Sequence, residues 1–377
     1  MREKRPLTLT QKLLKRSKVE KKKTTKHILI SLPLLLLLIV VLSIVSTRPI
    51  PEVQSKQTNL ARGILVGDIM MAGHVQTQID ATDEQSLFTH VKPYFEHADY
   101  ATGNFERPVA EQSSADSDYS STADSVSALH AVGFSVMNLA NSHLMDYEED
   151  GLQETLSAFN NEGIDMTGAG ESITDETNSM SFNEVNGVTI ATLGFSDVYE
   201  DGAAVDDSSG GITTFDPETF IPMVAKANQQ ADVVIVHAHW GQEYDNTPSE
   251  RQQTLAHSLS DAGADIIVGH HPHVLQSIEV YNDTAIFYSL GNFISDQGWT
   301  RTSESALAQF EITENGTTEF EVVPLLIKEA SPAPLSWSDK LNERSIIRQL
   351  TKDDHFDWTE EEGVIHFSTN SRDTGGH

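Results

Sequence analysis

The 377-residue chain contains no cysteine, which excludes disulfides and a lipid-modified cysteine, so any folded domain must hold itself together by packing. Basic residues are scarce beyond position 27. Of 25 Lys/Arg and 56 Asp/Glu, the first 27 residues take 11 and 2, leaving 14 against 54 and a net of −40 for the remainder. Such a surface repels polyanions unless cations screen it, so nucleic acid is not expected as a partner. It reads as a solvated acidic face suited to a salty exterior. There is no internal repeat. No small-residue cleavage pattern follows the longest apolar run either, because Ser46-Thr47-Arg48-Pro49 stands there, which argues against a removable signal peptide.

That run is the first feature present. Ile28 to Val45 holds 18 residues without a charge, and at about 1.5 Å per helical residue it spans roughly 27 Å, close to the hydrocarbon thickness of a bilayer. The basic tail before it stays cytoplasmic by the positive-inside rule. The expectation is a single-pass cell-membrane protein: tail over 1–27, transmembrane anchor over 28–46, stalk over 47–62, and an extracellular C-terminal domain. About 330 residues remain after the anchor, enough for a sizeable core.

From Gly63 onward short β-branched runs appear, as in buried strands: Ile64-Leu65-Val66, Val132 to Met137, Val188 to Leu193, Val233 to Val236, Ile266 to Val268 and Ala285 to Tyr288. Helices lie between several of them. Thr247-Pro248-Ser249-Glu250 predicts a capping box with proline at the first helical position and Gly263 closing the helix. Asp150 predicts the cap of another, ended by Gly163. Alternation of this kind argues for an α/β domain, whose ligands gather beyond the carboxyl ends of the strands. Ser113 to Ser127 and Asp201 to Gly211 read as loops. Ser331-Pro332-Ala333-Pro334 marks a composition shift, so 63–330 reads as the domain and 331–377 as an appendage with a helix near 339–350 and a strand near 363–368.

The chemistry sits in five polar tags at the ends of apolar runs: Gly67-Asp68, Gly103-Asn104-Phe105-Glu106, Asn141-Ser142-His143, His237-Ala238-His239 and Gly269-His270-His271-Pro272-His273. Taken singly, Asp68 or Glu106 is more often turn chemistry than a site. Six of the fifteen histidines, however, fall in three of these tags. A His-x-His pair on a strand points both rings to one face, and Pro272 stiffens the turn between His271 and His273. Asp146 follows His143 by three positions and reads either as its orienting partner or as the start of the next helix. Carboxylate, amide and imidazole groups at one sheet edge are the ingredients of a divalent metal site.

The order and wording of the tags resemble the capsule-synthesis family CapA, also called PgsA in poly-gamma-glutamate synthesis. The likeness is carried by Gly67-Asp68-Ile69-Met70, Gly103 to Glu106, Asn138 to His143 with Asp146-Tyr147, His239 to Tyr244, Gly269 to Val274 and Ser289 to Phe293, and covers about residues 60 to 330. It implies a membrane-tethered extracellular component of the machinery that makes and exports the polymer, with the ligase and integral-membrane subunits as partners and an anionic polymer at hand. That family is similar in fold to the calcineurin-like metallophosphoesterases, which implies a four-layer α-β-β-α sandwich behind the N-terminal transmembrane helix.

Carried over residue by residue, the resemblance makes Asp68, Glu106, Asn141, His239, His271 and His273 the metal ligands for one or two divalent ions, with Mn, Fe and Zn all compatible. If a two-metal centre forms, histidine is the natural proton donor to the leaving group, with His143 the first choice. Asn104, Asp146, His237, Glu243, His270 and Asn292 are expected beside them, as supports or substrate contacts. Three departures stand out: Met70 occupies the place of a usual histidine, Glu106 that of a usual aspartate, and Ser142 that of a usual asparagine. His270 is the alternative to His271. Two functions follow, an assembly or polymer-handling subunit and a metal-dependent hydrolase of phosphoester or amide bonds.

Overall fold

The computed structural model describes residues 8–46, 51, 59–81, 84–110, 119–172, 180–206, 209–298, 301–353 and 356–370. The chain divides into two compact units, Met1–Pro49 and Ile50–His377. In the first, one helix of 38 residues runs over Leu9–Ser46. Its described apolar stretch, 28–39, is exposed throughout and rises only about 18 Å. Among the described residues no helix is long and apolar enough to cross a membrane. The anchor expected over 28–46 runs past Ile39 into side chains outside the described set, and most of the 47–62 stalk also lies outside it.

The second unit is a mixed α/β fold around two sheets. The larger has ten strands, with Thr359–Glu361, Val364–Asn370, Thr317–Lys328, Glu304–Thr313, Asn59–Ile69, Tyr100–Phe105, Val136–Asn138 and Asp165–Thr167 in that spatial order; Asn292–Ile294 pairs with Asn59–Ile69 and Ser331–Pro334 with Thr317–Lys328. The smaller has six, ordered Ile278–Tyr281, Thr284–Phe287, Ile266–His270, Val233–His239, Val188–Ser196 and Met180–Val185. Among the described residues the larger sheet contains a block of five parallel strands and the smaller a block of four. Their carboxyl ends carry the tags.

Strand residues alternate between two cores, as period two requires. Along Val233–His239, Val233 and Ile235 enter the core between the sheets, while Val234, Val236 and Ala238 face the helices Pro217–Gln230 and Glu250–Ala262 through Phe220, Val224, Leu255 and Leu259. In the larger sheet Leu65 and Tyr100 face inward. Its other face packs Ile64, Val66 and Met137 against Val126, Leu129, Leu152, Leu156 and Phe159 of the helices Ala123–Val132 and Glu148–Glu162. The central strands of both sheets are therefore buried on both faces, which is why they read as continuous apolar runs.

Local boundaries differ from expectation at three places. Val132 ends a helix, Gly133 closes it at φ 111°, and only Val136–Asn138 is strand. Asp150 lies in the first turn of Glu148–Glu162, where it complements the helix dipole, and Tyr147 is at the N-cap. The cap of Glu250–Ala262 is Ser249, in a reciprocal box with Gln252; Gly263 closes it. Thr247 is engaged elsewhere, its N–H donating to Asp245 Oδ1 at 3.0 Å. Part of the 113–127 loop lies outside the described residues. From residue 331 onward, Ser331–Pro334 and Val364–Asn370 hydrogen-bond to Thr317–Lys328, and the helix Lys340–Leu350 sends Ile346, Ile347 and Leu350 into the inter-sheet core.

Candidate metal centre

A bulge delivers the first carboxylate. Between Leu65, opposite Thr102, and Asp68, opposite Asn104, the Asn59–Ile69 strand has one residue more than its neighbour, and such an insertion re-aims the side chains that follow it. Gly67 makes this possible, because a Cβ there would lie 1.8 Å from Gly291 O. The register then lines up Asp68, Asn104 and Asn138 across three strands, with Asn292 on the other side of Asp68. In the facing sheet His239 lies opposite both His270 and Ser196. The two carboxyl edges thus meet across the inter-sheet space.

Asp68 is fully buried. Its Oδ1 accepts from Asn104 Nδ2 at 2.9 Å and lies 3.1 Å from His270 Nδ1; its Oδ2 accepts from the His271 backbone N–H at 3.2 Å and lies 3.3 Å from His273 Nδ1. His270 Nδ1 makes no hydrogen bond, so its 3.1 Å contact with the carboxylate is electrostatic. Behind it, His270 Nε2 is 2.9 Å from His237 Nδ1, and His237 Nε2 is 2.8 Å from Thr102 Oγ1. This row ties the two sheets together beneath the site.

Glu106, also fully buried, lies with Oε1 3.4 Å from His273 Nε2 and 4.0 Å from His143 Nε2. The other nitrogen of His143 is 2.9 Å from Asp146 Oδ2. Asn141 bonds Phe105 O at 2.8 Å and Asn104 Oδ1 at 3.3 Å, while its own Oδ1 accepts from the His143 and Leu144 backbone, each at 3.0 Å. His239 Nε2 is 3.2 Å from Ser142 Oγ, and its ring centroid is 4.8 Å from that of His271. His273 Nδ1 also lies 2.9 Å from Asn292 Oδ1, and Glu243 joins His271 and His273 in one potential ligand group. All thirteen expected site residues therefore belong to one connected constellation. His270 and His271 divide the alternative between them: the first bridges Asp68 and His237, the second faces Glu243 and His273.

Burial and neighbouring charge set the protonation pattern. Burial would raise the Asp68 pKa, but His270 and His273 outweigh it and hold the carboxyl well below the usual range. Burial pushes Glu106 up. His273 is disfavoured as a cation by burial, yet Glu106 and Asp68 prevail and raise it to about 10. Burial, with His271 nearby, takes His239 well below its ordinary value, and burial with His273 takes His271 down to about 4. Two neutral imidazoles thus face an anionic pocket.

This donor set fits a divalent cation. Among the described residues, Glu106 Oε1 and Oε2, His239 Nδ1 and His271 Nδ1 are buried with no hydrogen-bond partner, a costly arrangement for a carboxylate unless a cation satisfies it. Asp68, Glu106 and His273 form one group, and Glu243, His271 and His273 another, with ligand atoms within 4.8 Å of one another in each. Mixed carboxylate and imidazole donors suit Mn, Fe or Zn.

Four contributors are not among the thirteen expected site residues. Asn138 donates to Asn104 Oδ1 at 2.9 Å, fixing the amide that holds Asp68. Thr102 ends the histidine row. Arg107 lies 3.8 Å from Asp146, and Tyr244, at φ 65°, places its ring centroid 6.3 Å from that of His273. Asn138 had a detectable signal, since it ends an apolar run as the five tags do.

The sequence model of the family described as bacterial capsule synthesis protein PGA_cap matches residues 63–297, more than half of the chain. The chain belongs to this family. It is 46% identical over 375 residues to the PGA biosynthesis protein CapA of Bacillus subtilis (strain 168), covering 98% of each chain. It is 42% identical over 361 residues to the capsule biosynthesis protein CapA of Bacillus anthracis, covering 93% of this chain and 87% of that one. Among solved structures it is similar to the calcineurin-like phosphoesterase YfkN from Bacillus subtilis, at 14% identity and TM-score 0.37 over 74% of this chain and 89% of that one. A phosphatase from Mycoplasma pneumoniae is similar at 10% identity and TM-score 0.44, over 84% and 96%. At these scores the structural likenesses carry no further argument.

Proposed function

We propose that this chain is a membrane-anchored, extracellular component of poly-gamma-glutamate capsule biosynthesis and export, with a phosphoesterase-like metal site in a four-layer sandwich. The observation that carries the role is the 46% identity to a PGA biosynthesis protein across 98% of both chains. The uncharged run after a basic tail supports anchoring with the N-terminus cytoplasmic. The ligase and integral-membrane subunits of the synthesis complex are the proposed partners.

In the site, Asp68, Glu106, His239, His271 and His273 would hold one or two ions of Mn, Fe or Zn, with Glu243 at the rim; Asn141, expected as a ligand, has its Oδ1 accepting from two backbone N–H groups and braces Asn104 instead. When bound, such ions activate water and stabilise negative charge on a phosphoryl or carbonyl centre. The protein's own groups do the rest. Asn104 and His270 orient Asp68, Asn292 orients His273, and Asp146 holds the His143 Nδ1 side so that Nε2 faces Glu106.

That His143–Asp146 pair favours a second reading, a metal-dependent hydrolase of envelope polymer or its precursors. An imidazole oriented by a carboxylate and partly open to solvent suits a proton donor to a leaving group. Deletion of the gene and complementation with Asp68→Ala/His239→Ala tests the first reading: polymer export should fail while the protein is still made, and export at the unaltered level would contradict a role for the site. Hydrolysis of a generic phosphodiester that chelation abolishes and Mn restores would favour the second.

A further inference from the structure

Arg107 follows Glu106 directly and carries an opposite charge to the rim of a site rich in carboxylates. Its side chain is only 16% exposed, and Nη1 lies 3.8 Å from Asp146 Oδ2, beyond hydrogen-bond reach. The same oxygen already faces His143 Nδ1 at 2.9 Å. Nη1 is buried with no hydrogen-bond partner among the described residues. The guanidinium carbon stands 5.4 Å from the centroid of the Tyr119 ring, a cation–π distance. Tyr119 itself is exposed.

A planar guanidinium resting on an aromatic face, with a buried donor unspent, is arranged to receive an oxyanion in a forked pair of hydrogen bonds. An unpaired buried donor is costly, and an incoming acceptor removes that cost. Asp68, Glu106, Asp146 and Glu243 surround the site, so a singly charged carboxylate meets less repulsion there than a phosphate dianion. We propose that Arg107 anchors a carboxylate of a γ-linked glutamate chain and so fixes that chain beside His143. The assignment rests on the polymer-handling reading above and extends it to a specific contact.

The test is binding of a short synthetic γ-linked glutamate oligomer to the full-length protein in detergent with Mn present, by titration calorimetry. Arg107→Ala should weaken binding by about tenfold or more, and Arg107→Lys, which keeps the charge but loses the fork, should fall between. Equal melting temperatures separate this loss from misfolding, and an Arg107→Lys variant that binds no better than Arg107→Ala despite a native melting temperature would contradict the anchoring charge. Undiminished binding in Arg107→Ala overturns the anchor while leaving the polymer reading in place. Absence of binding by the unaltered chain overturns both. Inorganic phosphate binding more tightly than the oligomer, and losing that affinity in Arg107→Ala, overturns the choice of carboxylate.

Discussion

Glu106 defines the site at the scale of single residues, since a buried carboxylate with no hydrogen bond at either oxygen, and only the 3.4 Å contact to His273, is costly unless a further cation meets it. Glu106→Gln keeps the shape and removes the charge. Metal affinity should fall by at least about tenfold, while the melting temperature of the metal-free protein should hold or rise; unchanged affinity in a calorimetric titration would count against ligation. For the hydrolase reading, Asp146→Asn should lower phosphodiester turnover by about 10- to 100-fold with metal content intact, as elemental analysis alongside the rate assay would record. The histidines were legible because six of them cluster after apolar runs. Asn138 carried the weaker signal of ending an apolar run alone, where a single asparagine looks like any turn residue. Arg107 was not legible, since its meaning lies in Asp146 and Tyr119, which are remote in sequence or outside any motif.

At the scale of elements, site geometry depends on backbone devices more than on side-chain choice. The bulge at Gly67 turns Asp68 inward, and Gly269 lets the neighbouring chain pass, its notional Cβ lying 1.9 Å from Tyr288 O. Gly67→Ala should therefore destabilise the fold by about 1–3 kcal/mol or more and weaken metal binding as well, whereas Ser249→Ala, which removes a distant helix cap, should cost about 1 kcal/mol with metal binding unchanged. Urea melts and metal titrations of both variants distinguish these outcomes. Strand interiors were legible because burial on both faces leaves continuous β-branched runs. Helix starts were not: Thr247 and Ser249 are both competent caps two residues apart, and local bonds to Asp245 and Gln252 select the second. The bulge left no pattern in the sequence beyond one glycine. The C-terminal helix and the turn after it also brace the segment before Glu250–Ala262, with Gln349 bonding Asn246 O at 2.6 Å and Lys352 bonding Thr247 Oγ1 at 2.9 Å.

At the scale of the whole molecule, two parallel blocks bring their carboxyl edges together, and the packing that joins the sheets also buries the titrating groups. His237, His239 and His271 have native pKa values pushed below the ordinary 6.5, chiefly by burial. The unfolded chain binds more protons than the native one below 6.5, so their contribution is lost as pH falls, for His271 down to about 4. His273, raised to about 10, contributes fully below 6.5 and loses that contribution as pH rises toward 10. The metal-free protein should thus melt highest near pH 6.5 and lower on both sides; a melting temperature that climbs steadily from pH 6.5 to 10 would contradict the His273 assignment. Metal binding displaces the proton on His273, so loading should strengthen with pH and release protons.

The most direct measurement is equilibrium titration of Mn into the chelator-stripped full-length protein, read by elemental analysis and by melting temperature together. One or two ions per chain, a melting temperature that rises with metal concentration, and loss of both effects in Asp68→Ala/His239→Ala are the expected results. Substoichiometric metal, or the same metal content in the double variant, would contradict a shared cation among these loops.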